Sequence, residues 1–116
     1  MVIGSTACGK SNTSPSPTPM PPPGPTITIS SGGVSPKTLV VPPGTQVTFT
    51  NNDTRDHEMD SDPHPEHTDC PEINEVGYLT PGQSRQTGNL VVARRCGFHD
   101  HKNFEIAALK GSITVQ

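Results

Sequence analysis

From Thr26 to the end of the chain, short runs of alternating apolar and polar residues recur with chain breakers between them, and this period of two decides the fold class. Thr26-Ile27-Thr28-Ile29-Ser30 turns Ile27 and Ile29 to one side, Gln46-Val47-Thr48-Phe49-Thr50 does the same with Val47 and Phe49, and Ser112-Ile113-Thr114-Val115 repeats the pattern. Leu39 and Val41, Val76 and Tyr78, and Leu90 and Val92 mark further strands. Gly32-Gly33, Pro42-Pro43-Gly44, Asn51-Asn52-Asp53 and Pro81-Gly82 supply the turns. No stretch of about ten residues carries a helical stripe, although Asn103 to Leu109 has room for a turn or two. The expectation is an all-β fold, an antiparallel Greek-key β-sandwich of about six to eight short strands.

The material for a core is scant. Of 116 residues only 28% are hydrophobic and 3% aromatic, and half of the 14 prolines lie in the first 25 positions. Residues 1–25 are therefore set apart from a domain spanning 26–116, which is small enough to need a metal or a disulfide as a staple. Lys10 to Pro25, rich in Pro, Ser and Thr, reads as an extended tether. Ahead of it, Ser5-Thr6-Ala7-Cys8-Gly9 looks like the end of a bacterial lipoprotein signal, which would make Cys8 a lipid anchor and place the protein in the periplasm or at the cell surface. That signal carries Leu where this chain has Ser5, and the alternative is an incidental cysteine in a disordered tail. No apolar run is long enough to span a membrane, so membrane contact is expected only through Cys8. A net charge of -3 argues against a nucleic-acid partner.

Nine of the 11 carboxylates (Asp53, Asp56, Glu58, Asp60, Asp62, Glu66, Asp69, Glu72 and Glu75) fall within 23 residues that hold one basic side chain, Arg55. His57, His64 and His67 lie in the same stretch. A charge run alone is a solvated loop, but imidazoles interleaved with carboxylates are a donor set for a divalent cation. The whole stretch reads as a long functional loop at one end of the sandwich, Asp60 to Asn74 being its inserted part.

In order and spacing, residues 26–116 resemble a cupredoxin, the copper-binding sandwich family of plastocyanin, amicyanin and azurin. The strand Val47 to Thr50 runs through Asn51-Asn52-Asp53 to His57, a Thr80-Pro81-Gly82 turn follows, Cys96-Gly97-Phe98-His99 matches the Cys-x-x-His of the family's ligand loop, and Gly111 to Val115 matches its closing strand. The resemblance implies copper, with His57, Cys96 and His99 as trigonal ligands, and a single-copper electron carrier rather than a catalyst. The family's axial methionine falls at Leu109 here. The axial position is then either empty, which would raise the potential, or filled by Met59, Glu105 or His101.

Two features depart from that family: the loop with His64, His67 and Cys70, and the second imidazole of His99-Asp100-His101. A free Cys70 thiol beside a redox-active copper invites oxidation. The alternative to thiolate ligation is a disulfide between Cys70 and Cys96, contributing about 3 kcal/mol. His57 and His99 would then be completed by some of His64, His67 and His101, the last because it stands two residues from His99 and in an extended chain faces the same side, with Asp100 and Glu66 as orienting acceptors. Arg94 and Arg95 either favour the Cys96 thiolate or end a strand in solvent. Three functions follow: an envelope electron carrier with a redox partner protein, a copper-sequestering or delivery protein with a copper-handling partner, and an enzyme, since Gly97 to His101 resembles the Gly-Phe-His-x-His of copper/zinc superoxide dismutase. That enzyme's downstream metal histidines have no counterpart here. A structural zinc site is the outsider.

Overall fold

The structure is a computed structural model describing residues 24–116. Cys8 and the tether from Lys10 to Pro23 lie outside the described residues.

Among the described residues, nine strands build two sheets: β1 (Thr26–Ser30), β2 (Gly33–Ser35), β3 (Thr38–Val41), β4 (Thr48–Asn51), β5 (His57–Ser61), β6 (Gly77–Leu79), β7 (Ser84–Gln86), β8 (Arg94–Asp100) and β9 (Gly111–Val115). One sheet has five strands in the order β3-β9-β8-β5-β6, the other four in the order β2-β1-β4-β7. Each contains a parallel pair, β3 with β9 and β1 with β4, so the sandwich is mixed rather than purely antiparallel. Short 3-10 turns occupy Pro71–Glu75, His101–Asn103 and Ala107–Leu109.

The alternating segments form strands because every second side chain reaches the interlayer. Ile27, Ile29, Val47, Phe49, Phe98 and Ile113 are fully buried there, and the rings of Phe49 and Phe98 meet edge to face across the sheets at 5.1 Å. Two apolar pairs behave differently. Val92 is 53% exposed and Leu90 makes only an isolated bridge to Thr45, while Val76 is buried just ahead of β6 and Tyr78 faces out.

The acidic stretch is not one long loop. Its first part is the strand β5, in which His57, Met59 and Ser61 point inward and Glu58 and Asp60 outward. β8 likewise runs straight through Cys96-Gly97-Phe98-His99 to Asp100, pairing with β5 on one side and β9 on the other.

Candidate metal centre

The pairing of β5 with β8 writes the site onto the outer face of the five-stranded sheet. Phe98 faces the interlayer, so His99, one residue on, faces away from it. In the antiparallel register Asp60 stands opposite His99, and Met59 stands opposite Asp100 on the inner face. One step on, the Asp62 N–H bonds the Gly97 carbonyl, and at the other end His101 opens the 3-10 turn that follows β8. The outer face thus carries carboxylates on one strand and imidazoles on the next.

Beyond Asp62 the chain folds back over this face and adds two imidazoles. The fold-back is tied at its base by hydrogen bonds from the His67 N–H to the Pro63 carbonyl, from the Asp69 N–H to the Asp62 carbonyl and from the Asn74 amide to the His67 carbonyl. His67 itself takes a left-handed backbone with φ 55°. A side chain with a Cβ adopts that conformation at a cost, and such positions cluster at functional sites.

His64, His67, His99 and His101 each place one nitrogen so that all four lie within 4.8 Å of one another. His67 Nε2 is 3.2 Å from His99 Nε2 and 3.2 Å from His101 Nδ1. A tetrahedral ion with metal–nitrogen bonds of about 2.0–2.1 Å separates its ligand nitrogens by about 3.3 Å, so this spacing fits a metal. The donors are also oriented for one. Asp62 Oδ1 lies 2.6 Å from His99 Nδ1 and accepts a hydrogen bond from it, leaving Nε2 free to ligate. His64 stacks on Phe104 at 3.9 Å, and its Nδ1 is buried without a hydrogen-bond partner among the described residues. Burial first, and then the neighbouring imidazoles of His101, His99 and His67, hold His64 below the usual histidine pKa and so in its neutral, ligating form.

Gly97 makes room for this arrangement. A Cβ there would clash with the Asp62 carboxylate, so glycine lets that carboxylate stay beside β8 on His99.

His57, Cys96 and His99 are not brought together. Because β8 continues as a strand, Cys96 and His99, three residues apart, point to opposite faces. The Cys96 sulfur is bonded to Cys70, both residues being fully buried. His57 points inward, and both of its nitrogens are taken by carboxylates, Nδ1 by Asp100 at 2.5 Å and Nε2 by Asp53 at 2.8 Å. That contact, with Arg55 adding two hydrogen bonds, holds the Asp53 carboxyl down at about 2 despite its burial. Asp100 orients His57 rather than a ligand of the cluster, and it caps the turn that begins at His101. Met59 lies in the core, Glu105 in solvent, and neither joins the donor group. Arg94 bonds Glu72 and reaches Cys70 Sγ, and Arg95 is exposed.

Phe104 is not singled out by the sequence, and Asp62 and Gly97 enter there only as members of the acidic stretch and of the Cys-x-x-His match. The signal for Asp62 was present: Glu58-x-Asp60-x-Asp62 and His99-x-His101 share the two-residue period that ranks both sets on one face of paired strands.

No family model and no curated protein matches the chain. Solved structures do. A purple cupredoxin from Nitrosopumilus maritimus is 22% identical with a TM-score of 0.59, covering 79% of this chain and 99% of its own. Plastocyanin from Dryopteris crassirhizoma is 18% identical with a TM-score of 0.61, covering 78% and 99%. A Cu(I) form of an amicyanin variant is 16% identical with a TM-score of 0.60, covering 78% and 80%. With this sandwich and these likenesses, the chain has the cupredoxin fold.

Proposed function

We propose that this protein is a copper-binding protein that holds one copper ion through the imidazoles of His64, His67, His99 and His101, for sequestration or delivery rather than rapid electron transfer. The observation that carries the reading is the convergence of four histidine nitrogens while the Cys96 sulfur is tied to Cys70. Imidazole donors suit copper and zinc alike, and at a given site copper(II) binds more tightly. The solved neighbours include a copper protein of the same fold, which supports copper as the ion. An all-imidazole site lacks the thiolate that makes a blue copper centre strongly coloured and fast.

The reading extends to an oxidising compartment of the cell envelope, supported by the paired cysteines. There the Lys10 to Pro25 tether and a lipidated Cys8 would keep the domain near the membrane, within reach of a copper-handling partner.

The test is to add one equivalent of Cu(II), with and without competing Zn(II), and to record visible and EPR spectra while counting thiols in denaturant. The expected result is tight uptake with a faint band, no titratable Cys70 or Cys96 thiol, and loss of uptake in the double variant His67→Ala/His99→Ala. An intense band abolished by Cys96→Ser would overturn the reading and restore the electron carrier with His57, Cys96 and His99. Preferential uptake of Zn(II) would overturn copper as the ion.

A further inference from the structure

Beside the imidazole cluster, the same sheet face carries a second donor group. Glu58, Asp60 and His101 each bring one ligand atom to within 4.8 Å of the others. Glu58 and Asp60 are two apart on β5 and both face outward, and His101 opens the turn that directly follows β8.

Asp60 is the residue that points to a ligand. Its side chain is 9% exposed, yet it accepts no hydrogen bond and pairs with no Lys or Arg among the described residues. The nearest groups are two imidazole nitrogens, His67 Nδ1 and His101 Nδ1, each 3.8 Å from Oδ2 and too far for a hydrogen bond. A largely buried carboxylate with no cationic side chain beside it and two imidazoles within 4 Å is a ready oxygen donor for a cation.

We infer that Glu58, Asp60 and His101 form a second cation position, richer in oxygen donors than the imidazole cluster and sharing His101 with it. Two carboxylates and one imidazole select a harder divalent ion, of the Mn(II) type, over copper(I). The sharing follows from distance: His101 Nδ1 is 3.2 Å from His67 Nε2 and 3.8 Å from Asp60 Oδ2, so one nitrogen faces both donor sets. An ion in either position draws His101 toward itself and repels a cation in the other. The two occupancies therefore oppose each other, and each ion weakens the binding of the other by the same factor. The site stands on its own residues and shares only His101 with the copper reading.

The experiment is a titration of Mn(II) into the copper-free full-length protein, followed by the EPR signal of free Mn(II). One Mn(II) per chain is expected, with affinity lowered about tenfold or more in Asp60→Asn and in Glu58→Gln and little changed in His64→Ala. One equivalent of Cu(II) should then weaken Mn(II) binding. Absence of Mn(II) uptake, uptake unaltered by either carboxylate variant, or equal loss in His64→Ala would overturn the inference, the last by placing the ion among the four imidazoles. If Asp60→Asn unfolds by circular dichroism, Glu58→Gln, on the more open side chain, decides alone. Mn(II) binding that ignores Cu(II) would overturn the shared role of His101. Copper uptake is measured separately, so a chain that takes copper and no Mn(II) loses only this site, and one that takes Mn(II) and no copper loses only the copper reading.

Discussion

At His99 the chemistry turns on which nitrogen is free. Asp62 holds Nδ1 at 2.6 Å, so the Nε2 lone pair faces His67 before any ion arrives. Removing that charge in Asp62→Asn should lower metal affinity about 10–100-fold, as loss of a carboxylate behind a ligating histidine does. Gly97→Ala should weaken binding in the same direction without changing charge, because the new Cβ displaces Asp62. Competition calorimetry checks both, and unchanged affinity in the two variants would remove Asp62 as the orienting group. Asp53 carries a different consequence. Its pKa is lowered from 3.8 to about 2, first by the hydrogen bond with His57. A lowered carboxyl stabilises the fold above the unfolded value, and that stabilisation is lost as pH falls through the folded one. Thermal melts should therefore show a flatter loss of stability between pH 4 and pH 2 in Asp53→Asn than in the native protein.

At the scale of elements, the site is made by strands where the sequence suggested loops. Cys96-Gly97-Phe98-His99 reads as the start of a ligand loop only if the chain turns at Cys96, and instead β8 runs to Asp100 because Cys96 and Phe98 both find places in the core. His57 to Ser61 looks like loop because of its charge, yet Met59 opposite Asp100 and Ser61 opposite Phe98 give it a buried face. The disulfide then joins the end of the folded-back segment to β8 across a sequence separation of 26 residues. Cys70→Ser with Cys96→Ser should cost about 3 kcal/mol, read by denaturant unfolding. It should also lower metal affinity, since His64 and His67 ride on the segment it anchors. Full affinity in the double variant would show that the hydrogen bonds at Pro63, Asp62 and Asn74 suffice to hold that segment.

For the whole molecule, the metal and the fold are linked through the distance in sequence between the two halves of the site. An ion bridging the 64–67 segment to His99 and His101 binds only the folded chain, so saturation at a hundred times Kd should add about 2.7 kcal/mol and raise Tm by about 14 °C. Ligating imidazoles must be neutral, and protons compete with the ion as pH falls below the ordinary histidine value of 6.5. The Tm gain should therefore be present at neutral pH and gone by about pH 5. Differential scanning calorimetry with and without Cu(II) across this range checks it; a gain that persists at about pH 4 would point to oxygen ligands in place of imidazoles.

What the sequence by itself determined is the period-two alternation, and with it the sandwich, because burying one face of each short segment leaves few other packings. It also determined the pool of metal donors, His57, His64, His67, His99 and His101 among the carboxylates, and the two cysteines able to pair. Which donors meet was decided by tertiary structure alone. Strand register sent Cys96 and His57 inward and His99 outward, and the fold-back over β5 and β8 carried His64 and His67 to a face about thirty residues away in sequence. Side-chain direction on a strand depends on where pairing begins and ends, and that boundary is set by what the neighbouring strands bury rather than by the local motif.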